Sequence, residues 1–276
     1  MTDTLFDRGY ARTSEGLVHY RRLGAGAPLV MLHASPASSR TLEPLGALLS
    51  ARHDVLMPDT PGNGASSPPA LPVPELADYA DMVDRACDSL GLEAIDLYGT
   101  HTGAHIAIEW AIARPERVRS LILDGVALLS PDQRAEFLEH YAPPQRLDAS
   151  GTQFAWAWNM MRDQMIFWPH YRKDSDHLRS DGQLEPKLLH DLTMDLLGSL
   201  EIYHQPYEAV FRHDVLARLS LVTQPTLWLQ GDGVVLDTDA GTALARLRSH
   251  KLVPVRDLAA RADAIIDFIS GQERTA

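Results

Sequence analysis

The chain has 276 residues, with 25 Lys and Arg against 37 Asp and Glu, a formal net charge of −12, and one cysteine. Its 45% hydrophobic content excludes bulk disorder, and its length admits one decorated α/β domain or two domains. The acidic balance argues against nucleic acid, lone Cys87 excludes a disulfide framework or cysteine-rich metal centre, and no apolar run reaches the roughly 18–20 residues of a membrane span.

The polar start, MTDTLFDRGYARTSEG, lacks a basic stretch followed by an apolar core, so no signal peptide is expected and a cytoplasmic protein is. Gly9–Arg12 and Leu17–Arg22, separated by Ser14-Glu15-Gly16, predict a hairpin. Pro28–Leu32 is a continuous apolar run and predicts a strand buried on both faces. A helix over Ser38–Ala51 and a strand at Val55–Met57 follow, and then a loop, Asp59–Pro74, that holds five Pro and two Gly. Leu76–Leu90 and Thr102–Ala113 have helical spacing, with strands expected at Ile95–Tyr98 and Leu121–Leu123. Such alternation predicts a mostly parallel sheet flanked by helices. From about Ser130 to Ala217 only helical periodicities occur, with three of the five Trp. Strand character resumes at Pro225–Leu229, followed by a helix near Thr242–Arg248, a strand at Lys251–Val255 and an amphipathic helix at Leu258–Ile269. The expected organisation is an α/β core, 1–129 and 218–276, interrupted by a helical cap, 130–217.

Three motifs follow predicted strands in order: His33-Ala34-Ser35-Pro36, Asp59-Thr60-Pro61-Gly62-Asn63-Gly64, and Gly99-Thr100-His101-Thr102-Gly103. In this order and spacing they resemble the α/β-hydrolase family, and the resemblance covers almost the whole chain, helical insertion included. It implies an α/β-hydrolase fold with a cap that builds the lid and much of the substrate pocket. The third motif corresponds to the nucleophile elbow, whose glycines permit a sharp strand-to-helix turn. The elbow residue, usually Ser and sometimes Asp or Cys, is here His101, and an imidazole is a costly filler at a position the backbone strains to expose.

The rest of the usual triad also departs from the family pattern. Gly231-Asp232-Gly233-Val234-Val235 puts Val234 where the acid normally lies, with Asp232, Asp237 and Asp239 nearby. Lys251–Val255 passes through Arg256-Asp257 almost directly into the last helix, so the loop that carries the family's histidine is missing, and His250 lies at the wrong end of its strand. A standard acyl-serine mechanism is therefore not expected. Asp124, at the exit of the neighbouring strand, where some members carry their acid, could orient His101 as a two-residue base or merely cap its turn. By resemblance, the backbone N–H groups of Ser35 and Thr102 form the oxyanion hole, with Ser35 a less favoured substitute nucleophile. His101, His105 and Glu109 share a helix face at a spacing that can ligate zinc. The helix leads away from the mouth, so a polar contact is expected there and no metal is assigned.

The expected pocket side chains are His33, Trp168, His170 and Tyr203, drawn from the oxyanion loop and from a stretch containing Trp156, Trp158, Tyr171, His204 and Tyr207. Arg162 and Arg212 are candidate anchors for a carboxylate or enolate, against a default of surface ion pairs. Three functions follow. The first is a hydrolase of a small, partly aromatic ester, lactone or carbonyl compound, with His101 as general base or nucleophile. The second is a cofactor-independent lyase or oxygenase in which His101 and Asp124 abstract a proton. The third is an inactive ligand-binding member. No cofactor is expected; the partner is a small molecule, not nucleic acid or membrane, and a homodimer is left open.

Overall fold

The apolar runs named above become the middle strands of one eight-stranded sheet in the order β1-β2-β4-β3-β5-β6-β7-β8. The computed structural model describes residues 5–179, 184–231 and 240–273. The chain enters through the hairpin of β1 (Asp7–Arg12) and β2 (Leu17–Leu23), closed by a turn in which the Thr13 N–H bonds Gly16 O at 2.8 Å. β2 runs antiparallel to β4 (His53–Pro58); β3 (Ala27–Leu32), β5 (Ile95–Thr100), β6 (Val118–Asp124), β7 (Thr226–Gly231) and β8 (His250–Val255) continue the sheet in parallel. Parallel strands need covered faces, which explains why β3 and the Leu121–Leu123 stretch of β6 read as unbroken apolar runs rather than alternating ones.

One face packs on α2 (Leu76–Ser89) and α3 (Thr102–Ala113) through Leu97, Trp110 and Leu123; the other packs on α1 (Glu43–Leu49) and α10 (Leu258–Glu273) through Met31, Tyr98, Ile122 and Ile265. The adjacent residues Leu97 and Tyr98 thus point to opposite faces, as the strand's two-residue repeat requires. Cys87 is fully buried in the first of these clusters, and burial pushes its thiol up to about 12.

The expected helix over Ser38–Ala51 divides into a 3₁₀ turn at Ser39–Leu42 and α1, with Pro44 in the first turn of α1, where its missing N–H costs no helical bond. Among the described residues between β6 and β7 stand five α-helices: α4 (Pro131–His140), α5 (Thr152–Ile166), α6 (Pro186–Gly198), α7 (His204–Arg212) and α8 (Val215–Leu219). α5 packs on α6 and α4 on α7, while α7 and α8 touch α3. The helix expected near Thr242–Arg248 is a short α9 at Ala240–Leu244. No helix among the described residues is long and apolar enough to cross a membrane.

Candidate active site

The turn from β5 into α3 is fixed by two glycines. A Cβ on Gly99 would lie 2.3 Å from Gly103 O, and one on Gly103 would lie 2.3 Å from Leu32 O. Only hydrogen fits at either position, so the turn closes tightly against β3 and lifts residue 101 out of the sheet. His101 sits there at φ 51° and ψ −118°, the one non-glycine residue with positive φ among those described. An L side chain at such a φ carries strain of about 1–3 kcal/mol. Its N–H is held by Asp124 O at 2.9 Å.

The imidazole lies over Gly125, whose own φ is +68° and whose missing side chain makes the space: a Cβ there would come within 3.0–3.3 Å of three ring atoms. Nδ1 is 2.9 Å from Thr100 Oγ1. The Thr100 hydroxyl also contacts the Tyr98 phenol, and that phenol donates to Asp124 Oδ2 at 2.8 Å. Followed from the carboxylate, the pattern assigns the His101 proton to Nδ1, donating to Thr100, and leaves the Nε2 lone pair for a substrate. Arg261 Nε of α10 lies 2.7 Å from the same Asp124 oxygen. The direct imidazole–carboxylate contact expected for His101 and Asp124 is therefore not formed. Asp124 points beneath the elbow toward α10, and two hydroxyls, Tyr98 and Thr100, stand between it and the ring.

His101 is exposed to the cavity, yet protein walls surround the ring, and this burial lowers its pKa. The charge of Asp124 pulls it upward, while Arg179 and Arg261 push it down. The imidazole is thus neutral near pH 7 and able to accept a proton.

The cavity above His101 has a volume of about 330 Å³. The core side supplies Ala34–Ala37, His101, Thr102 and Ala127; the helical insertion supplies Phe137, Tyr141, Trp168, Arg179, Tyr207 and Phe211. Ser35 N–H is 3.4 Å from Thr102 Oγ1, a weak bond that a substrate oxygen can displace. Thr102 is the first residue of α3, so its N–H has no acceptor within the helix. Ser35 Oγ is buried and makes no hydrogen bond among the described residues, so none of them is placed to activate it as a nucleophile.

Of the four expected pocket side chains, Trp168 lines the cavity and the other three do not. His33 is fully buried: its Nδ1 donates to Ala34 O at 2.8 Å and its Nε2 accepts the Thr60 N–H at 2.9 Å, which ties the loop after β3 to the loop after β4. Tyr203 is fully buried, with its hydroxyl on Pro143 O at 2.6 Å. His170 packs edge-on against Tyr141 behind the cavity wall, with ring centroids 4.7 Å apart. Arg162 pairs with Asp163, and Arg212 pairs with Glu75 and Glu208; neither lines the cavity.

His105 and Glu109 form a polar contact below the elbow, joined by His213 from the junction of α7 and α8. Ala127 N–H donates to His105 Nε2 at 3.1 Å, the His105 and His213 Nδ1 atoms are 2.9 Å apart, and His213 Nε2 donates to Glu109 at 2.8 Å. Arg218 closes the chain with two bonds to Glu109. No group of three metal-ligating side chains converges among the described residues. His250 starts β8 opposite Thr226, at the strand's entry end and exposed. Asp232, Val234, Asp237 and Asp239 lie outside the described residues.

The sequence reading missed Tyr98, Thr100, Tyr141, Arg179, His213 and Arg261. Arg261 had a readable signal: with Ile265 and Phe268 it falls on the buried face of the last helix, where a cation needs a partner.

A family model described as alpha/beta hydrolase fold matches residues 27–258. A 2-hydroxy-6-oxononadienedioate/2-hydroxy-6-oxononatrienedioate hydrolase of Pseudomonas putida is 38% identical over 128 residues, covering 42% of this chain and 44% of that protein. A 2-hydroxy-6-oxo-6-phenylhexa-2,4-dienoate hydrolase of Comamonas testosteroni is 30% identical over 134 residues, covering 47% and 44%. Each match spans less than half the relative's length. Among solved structures, a hydrolase from Pseudomonas aeruginosa superposes with a TM-score of 0.71 at 22% identity, covering 95% of this chain and 98% of that one.

Proposed function

The chain belongs to the alpha/beta hydrolase fold family, and from that premise we propose that it is an enzyme acting on a small, partly aromatic ester, lactone or related carbonyl compound, with His101 as its general base. The observation that carries this reading is the neutral imidazole at the elbow, Nδ1 anchored on Thr100 and Nε2 left for the cavity. In hydrolysis, Nε2 takes a proton from water as the oxygen adds to the substrate carbonyl. The oxyanion forms against the N–H groups of Thr102 and Ser35, an arrangement worth roughly 3–4 kcal/mol in rate. The intermediate then expels its leaving group, which takes the proton back from His101. Asp124 acts as a positioning residue: through Tyr98 and Thr100 it fixes the ring orientation and the Nδ1 proton.

The hydrolase names of the partial relatives support the reaction class. The apolar lining around a single base favours a second reading at the same atom. There Nε2 removes a C–H proton next to a carbonyl and the two amides hold the enolate, as in a cofactor-independent lyase or oxygenase.

The test is turnover of a panel of aryl esters, lactones and aryl ketones by the wild type, His101→Ala and His101→Gln. Loss of all turnover in both variants with folding intact is expected. Retained turnover in either refutes the assignment. An acyl-imidazole trapped by rapid quench would make His101 the nucleophile instead. Ligand-induced thermal stabilisation without product from any substrate would make the chain a binding protein.

A further inference from the structure

A second cavity, of about 780 Å³, lies between the β1–β2 hairpin, the 3₁₀ turn at Ser39–Leu42 and α6 of the helical insertion, and shares no lining residue with the cavity above His101. Its floor follows from strand alternation. Ala11 and Val18 pack with Met82 and Ala86 of α2, so the other face of the hairpin carries Arg8, Tyr10, His19 and Arg21. His19 is buried, and its Nδ1 donates to Asp59 Oδ2 at 2.8 Å. Asp59 also accepts the N–H groups of Ser39 at 2.8 Å and Ala65 at 2.9 Å and the Ser39 hydroxyl. The carboxylate thus assigns the His19 proton to Nδ1. Nε2 opens on the cavity and makes no hydrogen bond among the described residues.

Of the three arginines that line this cavity, two are already matched. Arg21 bonds Glu43 at 2.7 Å and Ser39 Oγ at 2.6 Å, and Arg40 pairs with Asp191 and Asp195 at 3.0 Å each. Glu43 and Asp195, the acids that would repel an anion, are therefore neutralised where they stand. Arg8 is exposed and has no ion-pair partner among the described residues. The register pairs Arg8 with Arg21 and Tyr10 with His19, so Arg8 and His19 are diagonal neighbours, about 7–8 Å apart at the backbone and within reach of one bound group. We infer that this cavity binds an organic anion, with its carboxylate between the Arg8 guanidinium and His19 Nε2 and its apolar body on Tyr10 and Met194. Both of those side chains line the cavity and are exposed, and a bare inorganic oxyanion would leave them uncovered. Nε2 must gain a proton to donate to the anion, and Asp59 behind the ring stabilises the imidazolium that forms. The site is independent of His101 and of the reaction assigned to it.

The test is equilibrium binding, read by calorimetry, of 2-naphthoate, the neutral near-isostere 2-naphthamide and inorganic phosphate to the wild type, Arg8→Gln, His19→Gln and His101→Ala. Arg8→Gln changes an exposed side chain without an ion-pair partner, so it keeps the proposal falsifiable if His19→Gln does not fold. The wild type and His101→Ala should bind 2-naphthoate at least about tenfold more tightly than 2-naphthamide, as hydrogen bonds to a charged acceptor imply. Arg8→Gln and His19→Gln should each lose most of that preference. Nitrogen-15 spectra of histidine-labelled protein, with the His19 signals assigned by their absence in His19→Gln or, failing that variant, by their response to Arg8→Gln, should show both ring nitrogens protonated in the complex. Equal affinities, no binding of 2-naphthoate, phosphate binding as tightly as 2-naphthoate, or an Nε2 that stays bare in the complex overturns the proposal. So does a preference that survives in Arg8→Gln, or one lost in His101→Ala, which would put the anion in the elbow cavity instead.

Discussion

Gly125→Ala tests whether the floor under the imidazole sets its position. The added Cβ would lie 3.0 Å from His101 Cε1, 3.2 Å from Nδ1 and 3.3 Å from Nε2, inside the roughly 3.5–4.0 Å optimum for non-bonded heavy atoms. The ring has to retreat by a few tenths of an ångström, which strains its rotamer by about 0.5–1.5 kcal/mol and lengthens the 2.9 Å bond to Thr100. Separately, an L residue at φ +68° costs about 1–2 kcal/mol, partly offset by about 0.4–1 kcal/mol from the stiffer unfolded chain. The net destabilisation is about 2 kcal/mol, a Tm drop of about 4–8 °C for a chain of this size. Turnover should fall about three- to tenfold, since a full 1 Å misplacement costs about a hundredfold. The decisive assay is a double-mutant cycle with His101→Ala, scored by denaturant unfolding. Without the ring only the backbone cost of Gly125→Ala remains, so a coupling of about 0.5–1.5 kcal/mol is expected. Additivity within about 0.3 kcal/mol would show that the ring does not rest on Gly125 and would remove the geometric basis of its placement.

Two further outcomes follow from the charges. If His101 is the base, kcat/KM rises with pH along an acid limb whose midpoint lies below 6.5, because burial lowers its pKa. Arg261→Gln should move that midpoint up by removing a cation, and Asp124→Asn should move it down by removing the anion that favours the protonated ring; shifts in the same direction would refute the assignment. Burial also lowers His170 to about 4. The unfolded chain then takes up the proton first, so folding stability is intact above about pH 6.5 and falls toward pH 4, by roughly 3 kcal/mol from this residue. Urea unfolding as a function of pH should show a shallower acid-side decline in His170→Leu, and an unchanged slope would show that His170 is not the group held neutral.

Most of the framework was legible because it follows from local chemistry. Apolar runs long enough for a strand and too short for a buried helix marked β3, β6 and β7, and Gly99 and Gly103 marked the turn that lifts His101. The side-chain connections below the elbow were not legible, because they join residues distant in sequence. Asp124 and His101 end neighbouring strands, which suggested contact. Register alone does not say which way a carboxylate turns, and here Tyr98 and Arg261, from the opposite layer, draw it under the sheet edge. His33 illustrates the same limit. Its motif placed it beside the oxyanion amides, but the Thr60 N–H supplied a buried donor and turned the ring away from the cavity. In the insertion, helical spacing told which aromatics share a face and not which face is roofed, so Trp168 and Tyr203 could not be separated before their partners were known.

The absent loop after β8 and the histidine at the elbow have one physical account. α10 begins at Leu258, three residues after β8 ends at Val255, so its first turn lies against the sheet beside the exits of β6 and β7. Arg261 falls one turn into that helix and reaches Asp124, sealing the space beneath the elbow with an ion pair. The Asp124 carboxylate, engaged by Tyr98 and Arg261, is therefore not free to orient a proton acceptor hung from the turn after β8. On the proposed reading the base comes instead from above, from the elbow position that the backbone lifts into the cavity. His101 stands there with its Nδ1 side tied downward through Thr100 and Tyr98 to the same carboxylate. On this account the arginine and the histidine depend on each other. Arg261→Ala should loosen the orientation of the ring as well as shift its pKa, seen as a lower kcat at pH values where His101 is fully neutral. A kcat unchanged on that plateau would show that Arg261 acts on the site through its charge alone.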